Sequence, residues 1–426
     1  MTAGIRSWAV ALAFATAALM TPVHAAPAAP IFVDDTAAPG GDGSAKFPFN
    51  TLTDALKAAA TRLSPVISVA PGVYPVDRSL VVDGSVELRG SSVLVKGADG
   101  WPTGDVVRGT ETRIVGTALL GADSLIAVGR SDGVVVTRVT ISGFILEGTA
   151  SGVEVFLTRV QGYSIQANVF RAPAMFGMHS VASSGTAADN YFAGIGTGAI
   201  FSGGYPASPS NVVFQGNRSV SNTLGGVLLN GASIGIPELG DQVTALVQNN
   251  DLSDNVASAS FSFGVRIFIL RRDLGAPGDS QSVGNVHATL KGNRIVGNEM
   301  GLSIDAGFPY RTATTVTGPI CDQRVYSGKI DLTLTDNTVA GSHLTPALVT
   351  FTRNTAALTP VTLPKWQYLH GATFTITDNQ GALAGARIDH PEADPFLGPC
   401  PADAAHESLG NTLRYNGVVL GNGRNF

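Results

Sequence analysis

The sequence has little charge, no basic surplus and, beyond its N-terminal region, no long apolar run. Charged residues make up 14% of the chain, and 27 Lys and Arg against 32 Asp and Glu give a net charge of −5. Binding to nucleic acid usually requires a basic surface, so we expect no nucleic-acid partner. Because a membrane-spanning helix needs about 20 apolar residues, we also expect no membrane span.

The first 25 residues have the pattern of a signal peptide. Arg6 supplies a positive charge, residues 8–20 form a short Ala-rich apolar stretch, and Val23-His24-Ala25 gives the small-x-small pattern of a cleavage site. We predict cleavage after Ala25, with Ala26 as the alternative. The mature protein is then expected in the periplasm or outside the cell.

Short strands joined by tight turns are the expected secondary structure. The 51 glycines and the many Val, Thr, Ser and Asn residues are typical of strands and turns rather than of helices. One helix is predicted after Thr51, because Thr51 and Asp54 have capping-box spacing and the apolar residues within 52–59 share one helical face. A single amphipathic helix before an array of strands predicts a cap on the open end of a stack. A chain this long is large for one sandwich, so a repeat architecture is expected.

Four short segments near the N-terminus resemble the opening of right-handed parallel β-helix proteins, a superfamily similar in fold to pectate lyases. They are Phe32-Val33-Asp34, Gly41-Asp42-Gly43, Phe49-Asn50-Thr51-Leu52 and Ala70-Pro71-Gly72-Val73-Tyr74. The resemblance implies an all-β, right-handed parallel β-helix solenoid with a short N-terminal capping helix. We predict the N-terminal strand and capping helix within residues 26–66, and the β-helix with a C-terminal covering tail within residues 67–426. In that tail, residues 411–415 and 418–420 are expected to form a last coil.

A turn that ends in Asn recurs along the chain. It is found at Asn168, Asn190, Asn217, Asn250, Asn293, Asn337 and Asn379, at intervals of 22, 27, 33, 43, 44 and 42 residues. The shortest interval fits one β-helix coil of three short strands and their turns. Stacked coils place such side chains in register at a strand separation of about 4.8 Å, where each amide can bond the next. We therefore interpret these Asn residues as structural.

A glycine that opens the next strand marks each coil and locates the extra residues. The glycines are Gly177, Gly198, Gly226, Gly264 and Gly301. From each Asn to the following Gly the distances are 9, 8, 9, 14 and 8 residues, whereas from Gly to the next Asn they grow from 13 through 19, 24 and 29 to 36. The insertions therefore lengthen on one flank, after the Gly strand. A row of loops beside a sheet predicts a groove and a binding face there.

Period-two alternation divides each Gly strand into inward and outward residues. The inward residues are apolar: Met178, Ala199, Phe201, Val227, Leu229, Val265, Ile267, Leu302 and Ile304. The outward residues are mostly polar: His179, Ser202, Asn230, Arg266, Phe268, Ser303 and Asp305. Nearby loops add Arg271, Arg272, Asp273, Tyr310, Arg311, Asp322 and Arg324. Arginine beside Asp and Tyr suits carboxylates and sugar rings, so an acidic polysaccharide is the predicted partner.

Lyase chemistry is the leading enzymatic hypothesis for this face. A polysaccharide lyase needs a cation or an arginine to neutralise a uronate, and a base for the proton alpha to the carboxylate. Arg266 or Arg311 could neutralise the uronate, and Tyr310, Arg271 or His179 could be the base. The predicted catalytic residues are Arg266, Asp305, Tyr310 and Arg311, and the predicted substrate-binding residues are His179, Asn230, Arg271, Arg272 and Asp273.

Three other interpretations stay open. A glycosidase needs two carboxylates about 5–9 Å apart, and Asp305 with Asp273 or Asp322 is the pairing on offer. A C5-epimerase needs an acid and a base on opposite faces of the sugar, and no clear pair emerges. Arg266 and Asp305, on neighbouring coils, could instead form an ordinary surface ion pair.

A non-catalytic glycan-binding or cell-envelope adhesion protein is the main alternative. The sequence lacks the paired Asp and Gly-His-Gly pattern of polygalacturonases, the Asp-Pro-His pattern of alginate epimerases and the acidic Ca²⁺ cluster of pectate lyases. No cofactor is evident, and Ca²⁺ is implied only by the fold resemblance. Asp389-His390-Pro391-Glu392 lies in a Pro-rich tail and is interpreted as a covering loop. A pure binder should expose a row of aromatic residues, for which Tyr205, Phe268, Tyr310 and Trp366 are candidates.

The two cysteines, Cys321 and Cys400, are predicted to form one disulfide, because exported proteins meet an oxidising environment. The bridge would tie the longest loop of the groove to the C-terminal tail and hold that loop rigid. Alternatively, it would only pin the C-terminus. The sequence leaves both readings open, as it does the oligomeric state.

Overall fold

The structure is a computed structural model, and it describes most of the chain from residue 29 to residue 340 together with short strands beyond. The described residues are 29–171, 173–204, 210–231, 242–256, 262–273, 280–310, 329–340, 348–350, 373–377, 380–381, 387–389, 411–415 and 418–423. For residues 268–273, 280–283, 304–310, 329–330 and those from 348 onward, the description covers the backbone only. The predicted signal peptide, Arg311, Asp322, Arg324, Tyr205, Trp366, Cys321 and Cys400 lie outside the described residues.

Parallel strands wind through three sheets, coil after coil, and form the predicted right-handed parallel β-helix. Sheet 1 contains Ile31–Val33, Val66–Val69, Val86–Arg89, Val136–Thr137, Val139–Ser142, Val160–Gln166, Ser184–Ala188, Ser210–Gln215, Gln242–Gln248, Asn285–Lys291, Lys329–Thr335, Thr373–Thr377, Asn411–Tyr415 and Val418–Gly423. Sheet 2 contains Gly72–Val76, Thr112–Gly116, Ile145–Glu147, Val169–Arg171, Tyr191–Ala193 and Arg218–Val220, and continues with Arg294–Val296, Thr338–Ala340 and Gln380–Gly381. Sheet 3 contains Leu80–Val82, Ile126–Val128, Val153–Thr158, Phe176–Val181, Thr197–Ser202, Gly225–Asn230, Phe263–Asp273, Ser280–Val283, Met300–Tyr310, Leu348–Thr350 and Arg387–Asp389.

A continuous apolar core runs along the axis between the three sheets. Strand Gln242–Gln248 shows how the sequence produces it: Val243, Ala245 and Val247 are buried, and Thr244 and Leu246 between them face outward. Aromatic rings stack from coil to coil, with Phe170 over Phe192 at 4.3 Å between ring centroids. Each coil therefore buries its apolar side only by packing on the next coil, as expected of a solenoid.

The N-terminal end of the core is closed by the predicted helix, Leu52–Ala59. The Thr51 hydroxyl accepts a hydrogen bond from the Asp54 backbone N–H at 3.2 Å, which satisfies one free donor of the first turn. Leu52, Ala55 and Ala59 are buried against the first strands of sheets 1 and 3. The helix prediction and its capping role are confirmed.

The C-terminal end differs from the predicted final coil. Asn411–Tyr415 continues sheet 1 in parallel, but Val418–Gly423 pairs with it antiparallel. The expectation that the two segments form a coil was wrong. The physical reason is visible in the sequence, because Asn416-Gly417 between them is the dipeptide most typical of a tight hairpin.

The recurring Asn residues form the predicted hydrogen-bonded ladder. The chain of side-chain contacts runs through Asn168, Asn190, Asn217, Asn250, Asn293 and Asn337, each Nδ2 donating to the next Oδ1 at 2.8–3.2 Å. Every member is buried, and each Nδ2 also donates to a backbone carbonyl, as Asn217 does to Ala187 at 2.9 Å. The residue before each of these Asn residues has a left-handed backbone, for example Asp189 at φ 55°. The structural role of these six residues is confirmed, and Asn379 lies outside the described residues.

A second Asn ladder, absent from our sequence interpretation, explains the recurring glycines. The Asn222 backbone N–H donates to Asn255 Oδ1 at 3.0 Å, and the Asn255 N–H donates to Asn298 Oδ1 at 3.0 Å. This ladder occupies the corner before sheet 3, where the backbones approach closely. A Cβ at Gly226 would lie 2.5 Å from the Gly264 carbonyl oxygen, so only glycine fits.

An antiparallel hairpin outside the coils was also not predicted. Strands Leu94–Lys96 and Pro102–Val106 pair with each other and run along sheet 2. Lys96 contacts Asp189 at 2.7 Å, and the Trp101 indole N–H donates to the Asn249 carbonyl at 2.8 Å. The hairpin therefore contacts the Asn turns of coils that are distant from it in the sequence.

Candidate functional site

The insertions that lengthen the interval from each recurring Gly to the next Asn leave sheet 3 and return to sheet 1. They are the connections 203–209, 231–241 and 311–328, together with the segment after Asp273 that includes the antiparallel strand Ser280–Val283. This matches the flank predicted from the Gly-to-Asn distances. The residues at the insertion tips lie outside the described residues. The described part of the predicted groove is the outer face of sheet 3.

The alternation predicted for sheet 3 is confirmed on its inner side. Met178, Ala199, Phe201, Val227, Leu229, Val265, Ile267 and Leu302 are all buried in the hydrophobic core. The register aligns them coil to coil, so that Met178 pairs with Ala199 and Val227 with Val265. The residues between them therefore face away from the core.

Several of these outward residues are polar and yet buried. The exposed fractions are 7% for His179, 0% for Ser202, 0% for Asn230 and 2% for Ser303. Polar groups outside the core are normally solvated, and burying them without a partner is unfavourable. The outer face of sheet 3 is therefore a covered polar strip rather than the open strip that alternation alone predicts.

His179 is the best-defined polar group on this strip. Its Nε2 lies 3.2 Å from the Ser202 hydroxyl. The rings of Phe156 and Phe176 meet it edge-on, at centroid distances of 5.4 and 6.1 Å. Burial lowers the pKa of His179 from 6.5 to about 4. The imidazole is therefore neutral at neutral pH and can accept a proton or a hydrogen bond.

This lowered pKa predicts a loss of stability in acid. The unfolded chain binds the His179 proton near pH 6.5 and the folded chain only near pH 4. The contribution of His179 is therefore fully present above about pH 6.5 and falls by roughly 3 kcal/mol as the pH drops to about 4. Denaturant unfolding at several pH values should show this decline, and His179→Gln should flatten it. An unchanged pH profile in His179→Gln, with His287→Gln as the control, would contradict the assignment.

The register places the other candidates in two rows across the strands of sheet 3. His179 aligns with Ile200, then Leu228, then Arg266 and then Ser303. In the parallel row, Ser202 aligns with Asn230, then Phe268, then Asp305. The Arg266 guanidinium lies 5.8 Å from the centroid of the Phe263 ring and is partly exposed.

The strand register sets the distances between the Cα atoms of these candidates. Arg266 and Asp305 lie on adjacent strands and two residues apart, so their Cα atoms are roughly 8 Å apart. His179 lies three strand spacings from Arg266, roughly 14 Å away. Arg266 and Asp305 are therefore close neighbours in the backbone register, whereas His179 lies farther along the strip.

The remaining candidates lie on an extension of sheet 3. Arg271 aligns with Pro309 and Arg272 with Tyr310 in the backbone register, near the ends of the two long strands. Asp273 lies at the strand end, five residues beyond the partner of Asp305, which puts the two Cα atoms roughly 17 Å apart. That separation does not fit the carboxylate pair of a glycosidase.

The described part of the chain has neither a cluster of metal-ligating residues nor a membrane-spanning helix. There, no group of three or more His, Cys, Asp and Glu residues is placed to hold a metal ion. In the same residues, no helix is long and apolar enough to span a membrane.

Our sequence interpretation missed a His–Asp pair on the outer face of sheet 1. His287 Nδ1 lies 3.0 Å from Asp331 Oδ2 on the adjacent strand. A signal was present, because each residue lies six positions before a ladder residue, Asn293 or Asn337. Aligning the coils on the Asn turns would have brought the pair together.

A family model matches residues 36–300, more than half of the chain. It is described as Protein of unknown function (DUF1565) and represents a family of parallel β-helix proteins. The chain belongs to this family. No curated protein matches it.

Solved structures similar to this DUF1565 protein share its fold at low sequence identity. The A-module of the Azotobacter vinelandii mannuronan C-5 epimerase AlgE6 is 14% identical, with a TM-score of 0.46 over 86% of this chain and 89% of the module. ORF18 of Geobacillus virus E2 is 14% identical, with a TM-score of 0.42 over 91% of this chain and 62% of that one. The gp42 tailspike of Acinetobacter phage vb_AbaP_AS12 is 11% identical, with a TM-score of 0.45 over 92% of this chain and 64% of that one. This chain thus spans less than two thirds of ORF18 and of the tailspike.

Proposed function

We propose that the outer face of sheet 3 binds an acidic polysaccharide outside the cytosol and cleaves it by β-elimination. The observation that supports this most is the covered polar strip, in which a neutral histidine, a hydroxyl and an amide are buried outside the core. The fold does not need polar groups at these positions, because apolar residues such as Ile200 occupy the same rows. The strip also adjoins the flank that carries the long insertions.

Arg266 gives the strip its affinity for carboxylates. A guanidinium can bind a carboxylate through two parallel hydrogen bonds, and a partly desolvated site strengthens them. The Phe263 ring, over which the guanidinium lies, and the apolar row that leads to Arg266 reduce its contact with water. His179 and Asn230, which are buried on the same face, supply the further polar groups that we assign to the strip.

Arg266 and Asp305 together suit the elimination step. Arg266 neutralises the uronate carboxylate and so acidifies the proton on the adjacent ring carbon. Asp305 accepts that proton, the electron pair forms the carbon–carbon double bond, and the glycosidic C–O bond on the next carbon breaks. The leaving oxygen takes up a proton, and the product is an unsaturated uronate with a new reducing end on the other fragment.

Binding without turnover is the second candidate function. The observation that favours it is the roughly 14 Å between His179, the buried neutral imidazole, and Arg266. A base that distant does not serve a sugar held by Arg266. On this reading the strip holds a glycan and performs no chemistry.

Both candidate functions require that sheet 3 bind an acidic polysaccharide. Affinity electrophoresis with alginate or polygalacturonate tests this binding. We expect Arg266→Ala to weaken retardation of the protein about 10- to 100-fold, because a hydrogen bond to a charged group contributes about 1.5–3 kcal/mol. Arg89→Ala is the matched control, since Arg89 pairs with Glu87 on the outer face of sheet 1. Equal binding by the two variants would remove Arg266 from the site.

A further inference from the structure

A separate groove of about 630 Å³ crosses the outer face of sheet 1 over four consecutive strands. One row of outward residues in it consists of Asn211, Thr244, His287 and Asp331, aligned by the strand register. The next row begins with Val213 and Leu246 and continues with threonines. The groove is on a different sheet from Arg266 and shares no lining residue with the polar strip of sheet 3.

The His287–Asp331 pair gives the groove a fixed hydrogen-bonding group. Asp331 holds Nδ1 of the imidazole at 3.0 Å and so fixes the orientation of the ring. Nε2 makes no hydrogen bond to any described residue. Both side chains are about one third exposed, at 37% and 29%, so the pair is accessible but partly shielded. The free nitrogen is therefore available to a ligand in the groove.

The rest of the row is also oriented for hydrogen bonding. Gln242 Nε2 donates to the Thr244 hydroxyl oxygen at 3.1 Å, which leaves the Thr244 O–H proton free to donate. Asn211 is exposed at the edge of the same row. Successive side chains in such a row are about 4.8 Å apart, so an extended ligand that crosses the coils meets one polar group per strand.

The chemistry of the lining selects the class of ligand. Among the described residues, no arginine or lysine lines the groove, and the one carboxylate there, that of Asp331, is held against His287. An acidic polymer would find no cation of fixed charge there, whereas hydroxyls match the amide, hydroxyl and imidazole groups. Val213 and Leu246 offer an apolar strip beside the polar row, which suits the carbon-bound hydrogens of a sugar ring.

We propose that this sheet 1 groove is a second carbohydrate-binding site, specific for an uncharged polysaccharide laid across the coils. His287, oriented by Asp331, is its central hydrogen-bonding residue, and Leu246 is its apolar contact. The protein then holds two polymers of different charge on two of its sheets. This proposal does not depend on the function proposed for sheet 3.

Affinity electrophoresis in gels that contain glucomannan, xyloglucan or dextran tests the proposal. We expect at least one of these neutral polymers to retard the full-length protein. Leu246→Arg, which blocks the groove from a half-exposed position, and His287→Ala should each weaken the retardation at least tenfold. Thr140→Arg is the matched control, because Thr140 faces outward on sheet 1 three coils before the groove begins. Arg266→Ala should bind the neutral polymer like the wild type.

Three results would overturn the proposal. The first is that no neutral polymer retards the wild type. The second is that Leu246→Arg, folded with an unchanged melting temperature, binds like Thr140→Arg. The third is that Leu246→Arg loses binding to alginate instead, which would assign the groove to an acidic polymer. The function proposed for sheet 3 is tested separately, by the binding of Arg266→Ala to alginate.

Discussion

Asn217→Ala should lower the free energy of unfolding by about 4 kcal/mol, the largest loss expected from a single side chain outside the apolar core. The Asn217 amide accepts from the Asn190 N–H at 2.9 Å and donates to the Ala187 carbonyl at 2.9 Å. Alanine leaves both backbone groups without their partner in a fully buried turn. Each such group costs roughly 1–3 kcal/mol, and no water reaches the site to replace the amide.

Denaturant unfolding of Asn217→Ala, compared with Asn211→Ala, measures this loss. Asn211 lies in the same coil but is exposed, so its replacement should change stability by less than about 0.5 kcal/mol. Similar stability of the two variants would show that the ladder is not what holds the coils together. Aspartate at position 217 should also be damaging, because it removes the Nδ2 donor and buries a carboxylate.

Asp305→Asn should reduce turnover of an acidic polysaccharide by about 10²- to 10⁴-fold, the usual contribution of a general base. Asparagine keeps the shape of the side chain but cannot accept the proton. Because the substrate is held through Arg266 and the polar strip, binding of the polymer should stay within about threefold of the wild type. The prediction is checked by the rate of unsaturated-uronate formation alongside affinity electrophoresis.

Asp132→Asn is the control for this substitution, since Asp132 is an exposed carboxylate paired with Arg130. Turnover in Asp305→Asn equal to that in Asp132→Asn would remove Asp305 from the chemistry. Loss of binding together with turnover would instead make Asp305 a substrate-binding residue.

The sequence predicted the features that repeat with the period of the fold. Period-two alternation identified inward residues such as Phe201 and Val265, because each coil has only one apolar side to bury. The Asn ladder was predictable because in-register stacking turns a recurring residue into a column. The capping helix followed from one local hydrogen bond, between Thr51 and Asp54.

The features that were not predicted depend on contacts between segments far apart in the chain. His179 and Asn230 face outward, as alternation requires, but alternation does not predict that they are buried. The second ladder was overlooked, although Asn217 and Asn222, like Asn250 and Asn255, are spaced five residues apart. The hairpin at 94–106 reaches Asn249 across several coils, which no local pattern encodes.

The most direct test of the central claim is the ultraviolet absorbance of the purified protein mixed with a panel of uronate-containing polysaccharides. β-Elimination creates a carbon–carbon double bond conjugated to the carboxylate, which absorbs where the intact polymer does not. The proposed function predicts a steady rise on at least one polymer, strongly reduced in Arg266→Ala and retained in Arg89→Ala. No rise on any polymer that the protein binds would contradict cleavage and leave the sheet 3 face as a binding site alone.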